Sequence, residues 1–370
     1  MSASPTDSPR VLGILGDGQL AKMTAEAAQT LGVPVRILGA DPEGPCAGLG
    51  VFVRGDVHNA GDVAAFAEAC DVVTLESEFI APEVLAAAGG KLRPSLASFQ
   101  RIDNKADEKA EAERLGLPVA PYRVVDHVDA ALPEPPFMAK LAKGGYDGYG
   151  NWAVRSEAER QAFLADPPSG RLVIEDWVPF EREVAVTVAR SETGDTAAYP
   201  VVDTLQANHV CTRVMAPSSV TPELAAEVTR LALAFVEGVG HTGVMTLEFF
   251  ITAEGAVLFN ESSPRPHNSA HYTMDACETS QFEQHVRAVL GMPLGPTGMT
   301  VPQAVMLNLL GSFAGPASAP AADEADGAHV HWYNKRETRP GRKMGHATLV
   351  GDDRDQLLGQ SDALEARRLT

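Results

Sequence analysis

Cysteine is scarce in this 370-residue chain, and what there is lies scattered. Cys46, Cys70, Cys211 and Cys277 form no C-x-x-C pair and no Cys/His group with zinc-site spacing, so reduced thiols of a cytosolic protein are the simple reading. Positive charge is also short. The chain has 30 Lys and Arg against 49 Asp and Glu, a formal net charge of −19. Such a surface lacks the basic footprint of a non-specific nucleic-acid binder, although a local basic pocket can still hold a small anion. No run of about 18 apolar residues occurs, so no spanning helix is expected. The first ten residues, MSASPTDSPR, are polar and lack the apolar core of a secretory leader. These absences leave a cytoplasmic protein with neither nucleic acid nor membrane as partner. Hydrophobic residues make up 45% of the chain, enough for two or three domains with cores of their own.

The first hundred residues alternate strand and helix. Val11–Leu15 reads as a buried strand, and Leu20, Met23, Ala27 and Leu31 then recur with helical spacing. Val35–Leu38, Val51–Val53 and Asp71–Glu76 read as further strands, with Ala60–Ala69 a helix between them. This β-α-β-α order predicts a parallel sheet whose ligands collect at the carboxyl ends of its strands. Ser98–Leu115 reads as a helical connection, ended by Gly116 and Pro118. Strand-like texture follows in FMAKLAKGGYDGYGNW (Phe137–Trp152) and LVIEDWVPFEREVAVTVAR (Leu172–Arg190). Pro222–Val239 is helical, Gly243–Thr252 and Ala256–Ser269 form a strand pair, and Thr279–Leu290 is helical. Ser312–Ala328, rich in Ala, Pro and Gly, reads as a solvated loop, and His329–Gly351 as basic, glycine-punctuated β structure.

Several clusters carry chemistry. If the strands around Ala253–Gly255 pair, Glu248 and Glu261 face one side. Two carboxylates about 4 Å apart repel by roughly 4 kcal/mol at an effective dielectric near 20, so they require a proton, a cation or exposure to solvent. Magnesium suits such oxygens, and Asn260 adds a neutral one; two solvated acids flanking a hairpin remain the alternative. Gly144, Gly145, Gly148 and Gly150 free the backbone to approach a polyphosphate, with Lys140 and Lys143 beside them; a flexible hairpin tip explains the glycines as well. The strand end Glu175–Val178 offers an adenine an apolar slot with backbone hydrogen bonds, leaving Glu183 for ribose hydroxyls, unless it is an ordinary strand turn. PRPHNSAHYT (Pro264–Thr273) gathers Arg265, His267, Asn268 and His271, groups able to orient an oxyanion or move a proton. Lys335, Arg336, Arg339, Arg342 and Lys343 form a basic cluster suited to a phosphate, or a solvated basic hairpin. Gly16–Ala21 has the G-x-G-x-x-A spacing of a dinucleotide turn, but the second strand ends in Leu38-Gly39-Ala40, with Asp41 slightly beyond where NAD requires an acid.

In this order, over roughly Val11 to Thr348, these pieces resemble the ATP-grasp family. Within it they are similar to the members that carboxylate 5-aminoimidazole ribonucleotide in bacterial and fungal purine biosynthesis. The most specific parts are GGYDGYG, NESSPRPHNSAHYT, TSQFEQHVRAV and HWYNKRETRPGRKMGH. The resemblance implies an α/β fold of three domains. These are an N-terminal parallel α/β domain for substrate phosphate (1–98), a central α+β ATP-grasp domain (99–296) with a lid over about 121–180, and a small C-terminal β-rich domain (297–370). By the same resemblance ATP is held by Arg101, Lys140, Gly145, Tyr146, Asp147, Gly148, Tyr149, Gly150, Asn151, Glu175, Asp176, Trp177, Val178, Glu183, Gln206, Asn260 and Glu261. Magnesium, with manganese as an alternative, falls to Glu248 and Glu261. Arg265, His267, Asn268 and Lys335 fall where bicarbonate, carboxyphosphate and the amine react, with Tyr146 and Asp147 in the closing loop. Gln19, Leu20, Glu76, Lys335, Arg342 and Lys343 correspond to the ribonucleotide site. The implied state is a homodimer.

The chain departs from the family pattern in places. Asp17 replaces a glycine and Ala21-Lys22 a Gly-Arg pair in the first loop, Gln206 stands for a histidine, and Asp203-Thr204 for Glu-Asn. Ser262-Ser263 replaces an apolar pair, and Ala270 a glycine. An acid at Asp17 is unfavourable beside a phosphate unless it points away. Three other readings stand beside this one: another ATP-grasp ligase, a non-catalytic nucleotide-binding module, and a nicotinamide-dependent oxidoreductase.

Overall fold

Short apolar runs that end in a glycine or a turn have nowhere to go but into a sheet, and the N-terminal third obeys. The structure is a computed structural model that describes residues 10–128, 132–145, 149–207, 210–317 and 327–366. Strands β1 (Leu12–Leu15), β2 (Val35–Gly39), β3 (Val51–Arg54) and β4 (Val72–Leu75) pair in parallel in the order β3-β2-β1-β4. Helices α1 (Gln19–Thr30) and α2 (Ala60–Glu68) make the crossovers, and short helices α3 (Pro82–Leu85) and α4 (Leu96–Gln100) lead away. Alternate residues face opposite sides. Leu12, Ile14, Val35 and Ile37 pack with α1, while Leu15, Leu38, Val73 and Leu75 pack with Val63 and Phe66 of α2.

The segment Ser98–Leu115, read as one helical connection, is broken. Helix α4 stops at Gln100 and α5 (Lys105–Arg114) starts afresh, because the Asn104 side chain accepts hydrogen bonds from the Ala106 and Asp107 amides. An Asn satisfies a helix N-terminus better than it fills a helix interior.

An antiparallel sheet follows, in the order β5-β8-β6-β7, filling the segment expected to be the lid. It contains β5 (Tyr122–Val125), β6 (Phe137–Leu141), β7 (Asn151–Val154) and β8 (Leu172–Asp176), backed by α6 (Glu157–Ala165). Phe163 of that helix meets Phe137 and Trp152 edge-on.

The largest sheet gathers the rest. In chain order its elements are β9 (Phe180–Arg190), β10 (Thr196–Ala198), β11 (Val202–Ala207), β12 (Val210–Ala216), α7 (Pro222–Val239), β13 (Gly243–Thr252), β14 (Val257–Ser263), α8 (Thr273–Ala276) and α9 (Gln281–Val289). Then come β15 (Gln303–Leu310), β16 (Gly315–Pro316), β17 (His329–Trp332), β18 (Glu337–Thr338), β19 (Lys343–Gly351) and α10 (Arg354–Ala366). The strand order is β14-β13-β9-β11-β12-β15-β19-β17, with β10 on β9 and β16 paired apart with β18. The C-terminal strands therefore continue the central sheet through the β12–β15 ladder. Helix α7 has the bounds its sequence announces: Thr221 caps it, Pro222 starts it, and Gly240, at φ 68°, ends it in the left-handed region. Its Val228, Leu231 and Phe235 bury against Val184, Leu247 and Phe259.

Helix α9 ties the central sheet to the N-terminal one. Val286, Val289 and Leu290 join the core around Leu12 and Ile37. His285 accepts from the Val244 amide through Nδ1 at 3.1 Å, so its proton sits on Nε2, which donates to Thr74 Oγ1 at 2.8 Å. Burial pushes this imidazole down to about 3, from an ordinary value of 6.5. A depressed histidine stabilises the fold fully above 6.5, and its contribution is lost as pH falls toward 3. The destabilisation caused by His285→Gln is therefore expected to be greatest above pH 6.5 and to shrink on acidification, read as the difference in unfolding midpoint from the parent chain. A difference independent of pH would contradict the latch.

All four cysteines are free thiols, as expected. Among the described residues no helix is long and apolar enough to cross a membrane.

Candidate active site

The strand pair around Ala253–Gly255 forms, and its register places Glu248 directly opposite Glu261. The ladder then slips: Phe249 pairs with Phe259, leaving Asn260 as the extra residue of a bulge. That slip lets Asn260 and Glu261 serve the same cleft. On the other side, β9 pairs Ala185 with Glu248 and Glu183 with Phe250, which brings a third carboxylate, Glu183, onto this face. Crowding shows in their acidities. Burial, then Glu183 and Glu261, raises Glu248 well above the ordinary range. Burial and the Glu261 charge push Glu183 up to about 7. Glu261 alone is held low, chiefly by the Lys105 ammonium.

Cations face these acids from the first turns of α5 and from β6. The Lys105 ammonium donates to Glu261 Oε2. One turn later Lys109 reaches Glu175 at 3.1 Å, and Lys140 reaches the other oxygen of Glu175 at 3.0 Å. Lys140 also donates to Asn260 Oδ1 at 2.9 Å. Glu108, between the two helix lysines, accepts from the backbone amide and the hydroxyl of Ser262, both at 2.6 Å. The serine that replaces an apolar family residue thus acquires a partner. Lys105, Glu108 and Lys109 were not anticipated. The spacing i, i+3, i+4 puts them on one helix face, but the polar run NKADEKAEAER reads as a solvated surface, and only its seat against β8 and β14 shows otherwise.

All of these groups except Lys109 line a cleft of about 710 Å³ between the two antiparallel sheets and the N-terminal sheet. Of the predicted nucleotide residues, Lys140, Gly145, Asn151, Glu175, Asp176, Trp177, Val178, Glu183, Gln206, Asn260 and Glu261 line it. The Gln206 amide donates to Glu183 Oε1 at 3.2 Å, the position taken by a histidine in the family pattern. The Arg155 guanidinium lies 5.3 Å from the Trp177 ring centre, and Phe180 stacks on Phe250 at 4.5 Å, giving the cleft aromatic walls. Arg101, Tyr149 and Gly150 stand outside the lining. Arg101 donates to the Gly238 carbonyl at 2.6 Å and pairs with Glu111, Tyr149 is exposed, and the Gly150 carbonyl accepts from the Leu141 amide at 2.7 Å. Tyr146, Asp147 and Gly148 lie outside the described residues.

Arg265, His267 and Asn268 also line the cleft. Arg265 grips Glu78 of the N-terminal region with two nitrogens, one of them at 2.8 Å. His267 Nδ1 meets Ser269 Oγ at 2.9 Å and lies 4.0 Å from Glu248. Asn268 and Asn308 exchange amide hydrogen bonds at 2.7 and 2.6 Å. Gln19, Leu20, Glu76 and Lys343 line the far end. Lys335 and Arg342 stand behind it: Lys335 donates to the Lys343 carbonyl at 2.7 Å, and Arg342 to that of Glu337 at 2.7 Å.

The glycine turn before α1 holds an anion, but the protein's own. Glu76 accepts from the Gly18 amide at 2.8 Å and the Ala21 amide at 2.9 Å. Gly16, at φ 116°, is required here, since a Cβ would lie 2.3 Å from the Glu76 side chain. The helix N-terminus that a dinucleotide pyrophosphate would use is filled. Asp17 points the other way and accepts from the Ala40 and Asp41 amides at 2.7 and 2.8 Å, so it adds no repulsion at the cleft.

Acids paired across a hairpin and opposed by buried ammonium groups suit phosphoryl transfer from a nucleotide, and the fold matches: residues 110–282 match the ATP-grasp domain family. Residues 10–94 match the ribonucleotide synthetase preATP-grasp domain, and residues 304–360 the phosphoribosylaminoimidazole carboxylase C-terminal domain. The N5-carboxyaminoimidazole ribonucleotide synthase of Synechococcus elongatus is 38% identical over 94% of this chain and 91% of its own. That of Mycobacterium tuberculosis is 38% identical over 95% and 86%. An N5-carboxyaminoimidazole ribonucleotide synthetase solved as its ADP complex superposes with a TM-score of 0.89 at 34% identity, covering 97% of each chain. The Aspergillus clavatus enzyme, solved with ADP and 5-aminoimidazole ribonucleotide, gives 0.86 at 29% identity, covering 97% and 99%. The chain belongs to the N5-carboxyaminoimidazole ribonucleotide synthase family, ATP-grasp ligases that carboxylate 5-aminoimidazole ribonucleotide with ATP in purine biosynthesis.

Proposed function

We propose that bicarbonate attacks the γ-phosphorus of ATP in this cleft, releasing ADP and forming carboxyphosphate. The exocyclic amine of 5-aminoimidazole ribonucleotide then attacks the carboxyl carbon, phosphate leaves, and the nitrogen loses a proton to give the carbamate. The observation that carries the reading is the cross-strand pair of Glu248 and Glu261 facing Lys105 and Lys140.

Glu248 and Glu261 fit magnesium or manganese, being paired oxygen donors in a site where burial, then the charges of Glu183 and Glu261, oppose ionisation of Glu248. Bound there, the ion supplies charge neutralisation for the transferring phosphoryl group. Lys140, fixed by Glu175 and Asn260, adds a second positive charge without having to reorganise. Trp177, Asp176 and Val178 form the adenine slot, with Glu183 and Gln206 beside the ribose. Arg265, His267 and Asn268 orient bicarbonate, and the glycine segment shields carboxyphosphate from water. Gln19, Leu20, Glu76 and Lys343 form the ribonucleotide end, with Lys335 and Arg342 behind. The working state is a cytoplasmic homodimer.

The route has an isotopic signature. With bicarbonate labelled with oxygen-18, phosphate released during turnover carries one labelled oxygen per molecule. Unlabelled phosphate, with label retained only in the carbamate, would reject attack of bicarbonate on ATP.

A further inference from the structure

Behind the segment Pro264–Thr273, on the face of β17 and β19 turned toward α8, lies a cluster that the reaction does not use. His331 and His346 are direct partners across the β17–β19 ladder. Asp275, from α8, places both carboxylate oxygens 3.0 Å from His331 Nε2. One donor atom from each of Asp275, His331 and His346 lies within 4.8 Å of the others. His329, two residues before His331 and on the same face of its strand, holds Nδ1 3.8 Å from Asp275.

His346 is the telling member. It is wholly buried, its Nδ1 is engaged by the Tyr333 hydroxyl at 2.9 Å, and its Nε2 has no hydrogen-bond partner. A buried polar atom left in this state calls for an explanation. The Tyr333 contact is of the kind that orients a ligating imidazole from behind. Burial holds His346 well below the ordinary histidine range, so the ring is neutral at neutral pH, the form that binds metal.

We propose that Asp275, His331 and His346 form a second metal site, for a zinc-class divalent cation, with His329 within reach as a fourth donor. Two or three imidazoles with one carboxylate select borderline transition ions, whereas magnesium favours all-oxygen sites such as the Glu248–Glu261 pair. The site crosslinks the C-terminal strands to α8, which follows the Arg265–His271 segment directly. It also touches that segment: the His346 ring lies 4.8 Å from the ring of His271, which lines the cleft. The rings of His331 and His346 are stacked 4.6 Å apart with planes 19° from parallel. His331 Nε2 already faces the Asp275 carboxylate, so the ion would enter between these two groups.

The test uses the full chain, stripped with chelator, in excess magnesium without nucleotide, titrated with cobalt(II) and then with zinc. The expected result is one cobalt per chain, with the visible absorption of a four-coordinate nitrogen and oxygen site, displaced by zinc. Asp275→Asn and the part-exposed His331→Ala should each weaken cobalt binding by more than about a hundred-fold, beyond the loss caused by removing a group that only supports a ligand. Glu248→Gln should leave it unchanged. Absence of saturable cobalt binding, or binding that survives Asp275→Asn and His331→Ala, would overturn the proposal. So would loss of binding in Glu248→Gln, which would assign the ion to the catalytic acids.

Discussion

Glu261→Gln should lower ATP turnover by about 10³-fold, the scale expected when a preorganised electrostatic group at a transferring phosphoryl centre is lost. The chain should nevertheless stay folded. Two opposing changes follow the substitution. Lys105 loses its closest anion, which alone would destabilise a buried ammonium. But Glu183 and Glu248 are both raised by the Glu261 charge, and that repulsion disappears. Glu108 and Glu175 remain near Lys105 to offset part of its loss. The unfolding midpoint should therefore move little while ADP release at saturating magnesium and bicarbonate collapses. Turnover within about tenfold of the parent would reject the proposed role of Glu261 in holding magnesium.

Glu175→Ala should instead show a large loss of stability. Glu175 is the common anion of Lys109 and Lys140, and the side chains of Lys109 and Glu175 are 2% and 4% exposed. Removing it leaves two ammonium groups facing one another in the interior, and breaking a buried pair in this way costs about 3–5 kcal/mol. Lys109 already feels the strain, since burial pushes its pKa down from the ordinary lysine range even with Glu175 present. Equilibrium denaturation of the parent and the variant is the check. A second variant isolates the cause: replacing Lys109 by Met together with Glu175 by Leu should recover much of the loss, because apolar residues of similar volume substitute well for a buried ion pair. A single variant as stable as the parent would show that Glu175 does not bind the lysines together.

What could be read from the sequence was what a single segment declares. The Glu248–Glu261 pairing was legible because a hairpin with a short glycine turn fixes its own register. Helix α7 was legible because its cap, proline and glycine mark both ends. The parallel sheet followed from strand–helix alternation, and the preATP-grasp, ATP-grasp and C-terminal parts from their motifs in order. Contacts between distant segments were not legible. Lys105 and Lys109 look solvated until α5 is laid across β8 and β14. The β12–β15 ladder, which carries the central sheet into the C-terminal strands, depends on a pairing across nearly a hundred residues. Gly16–Ala21 looked like an anion loop and is one, but its anion is Glu76, about sixty residues on, and that choice depends on tertiary proximity. Asp17, which seemed a threat to phosphate binding, turns instead to the end of β2.

The central claim is that the cleft couples ATP cleavage to carboxylation of one particular amine. The direct measurement is ADP release by the full chain with magnesium and bicarbonate, with and without 5-aminoimidazole ribonucleotide, and with other small amines and carboxylates in its place. ADP release stimulated by that ribonucleotide alone, in step with carbamate formation, is the predicted result. ADP release driven equally by a different acceptor, or no release with any, would contradict the account.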